Sequence, residues 1–152
     1  MTHVVGAIRI VPPLRARAAT WAGHPPDDFT GALIAQYPPG SRLGWHRDVP
    51  DFELVVGVSL VGQCRTRFRR YPPQFREKSF ALDVEARSIY KLQGEARWDW
   101  QHSVPPVPLP RHSITFRTPY ASKQGEVTRP IASRLWRRTS SDAQVTAAKA
   151  SS

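Results

Sequence analysis

Arg111-His112-Ser113-Ile114-Thr115-Phe116-Arg117-Thr118 is the stretch on which the fold turns. Successive side chains of a strand point to opposite faces. Extended, this run puts Arg111, Ser113, Thr115 and Arg117 on one face. Ile114 and Phe116 lie on the other, beside His112. One face is thus polar with an arginine at each end, and the other is largely apolar. Runs of similar character precede it, separated by turn residues roughly every ten positions. They are 32–37 (ALIAQY), 42–46 (RLGWH), 53–60 (ELVVGVSL), 64–70 (CRTRFRR), 79–84 (SFALDV) and 87–92 (RSIYKL), with breaks at Pro38-Pro39-Gly40 and Pro72-Pro73. Short strands at this spacing predict an all-β sandwich or barrel. Ahead of them, residues 1–10 predict a short strand. Residues 13–22 predict a short amphipathic helix, opened by Pro12-Pro13, carried by Leu14, Ala18 and Trp21, and stopped by Gly23. Residues 24–28 read as a loop. Residues 119–152 lose apolar periodicity and end in TSSDAQVTAAKASS, which predicts a disordered tail.

Composition narrows the class. A chain of 152 residues fits one domain. Five Trp, four Tyr and six Phe are too many apolar rings for a disordered basic chain. Fifteen prolines argue against a helix bundle, since each is barred from a helix interior. No run of about 18 apolar residues predicts a membrane span, and Pro12-Pro13 interrupts any signal-peptide core. The single cysteine, Cys64, excludes an intramolecular disulfide and fits a reducing compartment, so a cytoplasmic location is expected. With 22 Lys+Arg against 12 Asp+Glu the formal charge is +10, which favours polyanionic partners without specifying one.

Two features carry chemistry. In His46-Arg47-Asp48 the first and third side chains of an extended chain aim at a common point. His102, in the loop-rich stretch before the last strand, is the best third partner. Two imidazoles and one carboxylate make the facial triad of non-heme Fe(II) oxygenases. A surface pair is the plainer alternative for His46 and Asp48. The second feature is the polar face of 111–118. Six residues at about 3.3 Å each separate the backbones of Arg111 and Arg117 by about 20 Å. Two long side chains leaning inward could grip both ends of a short dicarboxylate, which suits the planar fork of arginine. A solvated strand face is the alternative.

Taken together, the chain resembles the AlkB family of Fe(II)/2-oxoglutarate-dependent dioxygenases. The matching residues are Tyr37-Pro38-Pro39-Gly40, Gly44-Trp45-His46-Arg47-Asp48, Val58-Ser59-Leu60, Arg67-Phe68-Arg69, Gly94-Glu95-Ala96-Arg97, His102-Ser103 and Arg111 through Arg117. The similarity runs over residues 10–120. It implies a double-stranded β-helix (jelly roll) with iron in its mouth, held by His46, Asp48 and His102. It implies Fe(II), 2-oxoglutarate and O₂, with Arg111 on the distal carboxylate of 2-oxoglutarate. Arg117 would lie towards the iron-chelating end, and Tyr37 and Ser113 would hydrogen-bond the cosubstrate. Residues 1–30 would form a reduced lid region, 31–120 the jelly roll and 121–152 a basic tail. The family commonly has Asn where this chain has Ala35 and Ser113, and the founding type has an acidic residue where this chain has Pro50. Asp51 or Glu53 could stand in for that residue.

The expected function is oxidative demethylation of N-alkylated bases in single-stranded DNA or RNA, of the DNA-repair type, by a monomer. Alternatives are an AlkB-like oxygenase acting on a protein or small molecule, and a degenerate, non-catalytic nucleic-acid-binding jelly roll. Arg65, Arg67 and Arg69 share one strand face and could contact phosphates. Trp45, Trp98 and Trp100 flank the proposed ligands. One of the three is expected to meet a base, and two to lie in the core. Cys64 reads as a small strand residue. His3, His24 and His112 read as structural or exposed.

Overall fold

The alternating runs become strands close to where the sequence places them. The structure, a computed structural model, describes residues 2–4, 11–73, 75, 79–121 and 143–149. Its strands are β1 (Thr2–Val4), β2 (Gly31–Tyr37), β3 (Leu43–His46), β4 (Phe52–Val61) and β5 (Cys64–Arg70). They continue as β6 (Phe80–Val84), β7 (Ser88–Gly94), β8 (Trp100–Val104), β9 (Arg111–Pro119) and β10 (Ala143–Lys149). The helices are α1 (Val11–Ala22) and α2 (Glu95–Trp98), with a 3-10 turn at Pro26–Asp28 inside the expected loop. Among the described residues no helix is long and apolar enough to cross a membrane.

Two antiparallel sheets form the jelly roll. The six-stranded sheet has the order β1-β2-β9-β4-β7-β10, and the four-stranded sheet β3-β8-β5-β6. β4 explains the layering. Its run Leu54 to Ser59 is buried without interruption, as expected of a strand covered on both faces. Leu54, Val56 and Val58 pack with Ile114 and Phe116 against Ala18, Ala19 and Ala22 of α1. Small residues on that helix let it lie close on the sheet. α1 stops at Gly23, whose φ of +79° suits a glycine. The His24 amide then donates to the Ala19 carbonyl at 3.0 Å. The opposite face of the six-stranded sheet looks across to the four-stranded one. Val55, Phe68 and Leu92 form one buried layer between the two. Ala35, Tyr37, Cys64, Val84, Val104 and Val107 form another.

Three elements depart from the expectations. His102 is not in a loop but at the centre of β8. The run Trp100-Gln101-His102-Ser103-Val104 hides its strand character because the inward position is a histidine and the alternate residue Ser103 is also buried, at 1% exposure. α2 was also not anticipated, being a single turn between two strands. Within the stretch expected to be disordered, Ala143–Lys149 instead forms β10, pairing antiparallel with β7 from Gly94 to Ser88. Backbone hydrogen bonding to an exposed sheet edge does not need the apolar periodicity that the tail lacks. The other residues after 121 lie outside the described ones, as does most of 1–10 beyond β1. So do the tail arginines 129, 134, 137 and 138.

Candidate metal centre

His46 and His102 are cross-strand partners. β3 pairs with β8 so that these two residues stand opposite each other, and their rings lie 4.2 Å apart, centroid to centroid. Asp48 follows β3 by two residues and turns to the same side. One ligand atom from each of His46, Asp48 and His102 lies within 4.8 Å of the others. The i, i+2 spacing supplies two of these groups locally, and strand pairing over more than fifty residues supplies the third.

The neighbours of the triad prepare it for a cation. His46 Nδ1 donates to the Gly44 carbonyl at 2.9 Å, which fixes the orientation of the ring and leaves Nε2 as its other nitrogen. Arg117 Nη2 lies 3.5 Å from Asp48 Oδ1, with both side chains largely covered. The loop that carries Asp48 is clamped by α2. Buried Arg97 donates to the Val49 carbonyl. Arg47 Nη1 donates to the Trp98 carbonyl at 3.2 Å, and Trp98 Nε1 to Glu53 Oε1 at 3.4 Å. Burial pushes the His102 imidazole down to about 4, with His46, Arg97 and Arg117 acting the same way and Asp48 opposing. His102 is therefore neutral near pH 7, the form that can ligate a metal.

That depression has a consequence for the metal-free protein. Between about pH 4 and 6.5 the unfolded chain binds a proton at His102 that the folded chain refuses. Stability from this site is complete above pH 6.5 and declines as the pH falls towards 4. Thermal melts of metal-free protein across this range are expected to show that decline. His102→Gln, which cannot titrate, is expected to flatten it.

The triad opens onto a cavity of about 290 Å³ between the sheets. Arg111, Ser113, Thr115 and Arg117 all line it, so the polar face of β9 is the inner wall and not a solvated surface. Ile114 and Phe116 on the other face are buried in the core, at 4% and 0% exposure. At one end, Arg111 is 2% exposed and donates from Nη1 to Ser113 Oγ at 3.1 Å. Its guanidinium stands 5.1 Å from the ring centroid of Tyr37, its cross-strand partner. Burial raises the Tyr37 phenol and the Arg111 charge opposes that. Arg111 Nε is buried without a hydrogen-bond partner, and among the described residues no carboxylate pairs with this cation. A buried guanidinium left in that state is costly unless an anion completes it. Arg117 does not mirror Arg111. It sits at the metal end, engaged with Asp48.

The family model of the 2OG-Fe(II) oxygenase superfamily matches residues 8–140. The chain belongs to that superfamily. An oxygenase of this kind uses Fe(II), 2-oxoglutarate and O₂, and the His46-Asp48-His102 donor set fits the iron. The AlkB-like character inferred from the sequence is borne out by a 35% match over 88 residues to an "Alkylated DNA repair protein ALKBH8 homolog" of Arabidopsis thaliana, covering 47% of this chain and 25% of that protein. An uncharacterized protein of Acanthamoeba polyphaga mimivirus is 30% identical over 98 residues, covering 56% of this chain and 46% of that protein. The oxygenase thus spans less than half the length of either relative. Among solved structures, a Pseudomonas putida prolyl-4-hydroxylase aligns with TM-score 0.45 at 17% identity, covering 60% of this chain and 53% of that one. A Bacillus subtilis oxalate decarboxylase aligns with TM-score 0.43 at 15% identity, covering 58% and 20%.

Other sequence expectations fare unevenly in this oxygenase. Asp51 and Glu53 are not among the cavity-lining residues. Trp45, Trp98 and Trp100 are each partly buried with an arginine against the ring, and Trp100 packs on the core beside Val55, Phe68 and Leu92. His24, read as structural or exposed, pairs with Asp28 Oδ2 at 3.3 Å. Cys64 is buried in strand β5, as expected. Sequence reasoning did not single out Tyr90, Thr66 or Arg47, which also line the cavity. Strand alternation could have flagged Tyr90 and Thr66 as inward-facing, but not as neighbours of Arg111.

Proposed function

We propose that this oxygenase oxidatively demethylates N-alkylated bases in single-stranded nucleic acid. His46, Asp48 and His102 would hold Fe(II). Iron held there would supply, with 2-oxoglutarate and O₂, the chemistry that hydroxylates a C–H bond, with succinate and CO₂ as coproducts. The chain's own residues do the rest. Arg111, Tyr37 and Ser113 bind the far carboxylate of the cosubstrate and fix its orientation. Arg117 holds Asp48 in place. The apolar walls from Leu33, Val55 and Leu92 limit water in the cavity. A hydroxylated N-methyl group then breaks down to formaldehyde and the free amine.

One observation carries the nucleic-acid substrate. Arginines stack on aromatic rings around the four-stranded sheet. Arg47, which lines the cavity, stands 4.0 Å over the Tyr71 ring. Arg69 and Arg67 stand 4.4 Å and 5.4 Å from the Trp45 ring. Trp45 faces away from His46 because adjacent strand residues alternate, so this pair of arginines lies on the outer side of the metal-bearing sheet. Flat rings with cationic neighbours suit the bases and phosphates of a single strand. Arg65 contributes less, since it is shared with Asp83 at 3.9 Å. The name of the Arabidopsis relative, which refers to alkylated DNA, supports the same choice.

The test is turnover of methylated single-stranded DNA with Fe(II) and 2-oxoglutarate, measuring succinate and formaldehyde, with His46→Ala as control. Both products in equal amount are expected. Succinate without formaldehyde would assign a protein or small-molecule substrate instead. The outer stripe is tested separately. Arg67→Ala/Arg69→Ala is expected to weaken DNA binding and to reduce the slope of log affinity against log salt by about 1 to 2. Succinate formation without DNA should not change.

A further inference from the structure

The inner face of the six-stranded sheet also carries Tyr90, whose side chain lines the cavity. Tyr90 of β7 stands opposite Gly57 of β4, and Gly57 in turn stands opposite Thr115 of β9. A Cβ placed on Gly57 would fall 2.3 Å from Cζ of Tyr90, 2.4 Å from Cε1 and 2.6 Å from Oη. The outer end of the ring therefore lies directly over the bare α-carbon of Gly57. Tyr90 leans from β7 across β4 in the direction of the polar face of β9. Glycine inside a strand usually weakens it, and close approach by another group is one reason for its presence.

What the hydroxyl meets there is informative. Tyr90 lines the same cavity as Arg111, Ser113 and Thr115. Among the described residues its hydroxyl has no hydrogen-bond partner. Thr115 Oγ1, on the strand it leans towards, is buried and also without one. Burial holds the phenol above its ordinary value, and the Arg111 charge opposes that. At neutral pH the group is therefore an O–H donor close to a buried cation. A carboxylate has about four acceptor positions. Arg111 cannot fill them all, because its Nη1 is already directed at Ser113.

Resting on the assignment of Arg111 as the cosubstrate's anchor, we propose that Tyr90 also binds 2-oxoglutarate. Its hydroxyl donates to the carboxylate held by Arg111, and Gly57 lacks a side chain so that the ring can cross the sheet.

Tyr90→Phe keeps the ring over Gly57 and removes only the oxygen. The protein is loaded with Mn(II), which avoids oxidation, and titrated with 2-oxoglutarate by calorimetry. Tyr90→Phe is expected to bind about tenfold more weakly, the scale of one hydrogen bond to a charged group. Its Mn(II) affinity and melting temperature should match the wild type. In turnover the defect should fall on KM for 2-oxoglutarate and leave kcat unchanged. Affinity for 2-oxoglutarate within twofold of the wild type would overturn the role of Tyr90, as would an equal loss of Mn(II) affinity. If Arg111→Met loses binding while Tyr90→Phe keeps it, only Tyr90 is refuted. If the wild type itself fails to bind 2-oxoglutarate, the anchor assignment falls, and Tyr90 with it.

Discussion

Asp48→Ala is expected to bring succinate formation to background and to remove Fe(II) and Mn(II) binding. Two effects act in the same direction. The substitution deletes the only anionic donor of the triad. It also leaves the Arg117 guanidinium, 3.5 Å from that carboxylate, without its counter-charge at the rim of the site. A cation would then meet a cation. Losing an outer-shell partner of a metal site costs roughly 10–100-fold in affinity, and losing a ligand while exposing a like charge should exceed that range. Electron paramagnetic resonance titration with Mn(II) measures the affinity directly. His46→Ala should fall in the same class, although it leaves the Asp48–Arg117 pair intact. Retained Mn(II) affinity in Asp48→Ala would mean that the three residues converge for another reason.

Arg111→Met should give the second large effect, and it separates function from stability. The side chain is 2% exposed, its Nε is unpartnered, and no described carboxylate neutralises it. In the presence of a bound dicarboxylate, its removal deprives a buried anion of its cation. Truncating one side of such a pair costs about 2–5 kcal/mol, so 2-oxoglutarate affinity should fall by roughly 30-fold to several thousandfold. Without cosubstrate the sign changes. Replacing an uncompensated buried charge by an apolar side chain of similar length is often neutral or stabilising. The melting temperature of ligand-free Arg111→Met should therefore equal or exceed that of the wild type, while the rise expected of the wild type with 2-oxoglutarate should be absent. A ligand-free variant that melts far below the wild type would show that Arg111 has structural partners instead.

These two residues illustrate what the sequence could reveal. The strand from Arg111 to Arg117 was legible because its alternation is clean and both faces keep their character when buried. His46 and Asp48 were legible because i and i+2 on an extended chain share a side whatever the rest of the fold does. His102 was legible as the third member of the cluster but not as a strand residue, since a buried serine and an inward histidine give β8 no apolar alternation. The partnership of Arg117 with Asp48 spans 69 positions and depends on which strands pair. Nothing local announces it. The same holds for Tyr90 and Gly57. Each is an unremarkable member of a strand until the register sets one over the other. β10 was illegible for a different reason: an edge strand needs backbone contacts, and composition says little about those.

The division of labour between the two sheets has a final consequence. His46 and His102 belong to the four-stranded sheet, and Arg111 to the six-stranded one. Packed sheets stand about 10 Å apart, and here Val55, Phe68 and Leu92 fill the layer that keeps them so. On the proposed assignment the molecule would act as a caliper, with the metal-binding cluster on one jaw and a guanidinium on the other. A diacid is gauged by its length before any chemistry begins: too short and it cannot touch both jaws, too long and it must buckle. On that reading the choice of cosubstrate would be a property of the core packing, set by the buried layers that hold the two sheets apart.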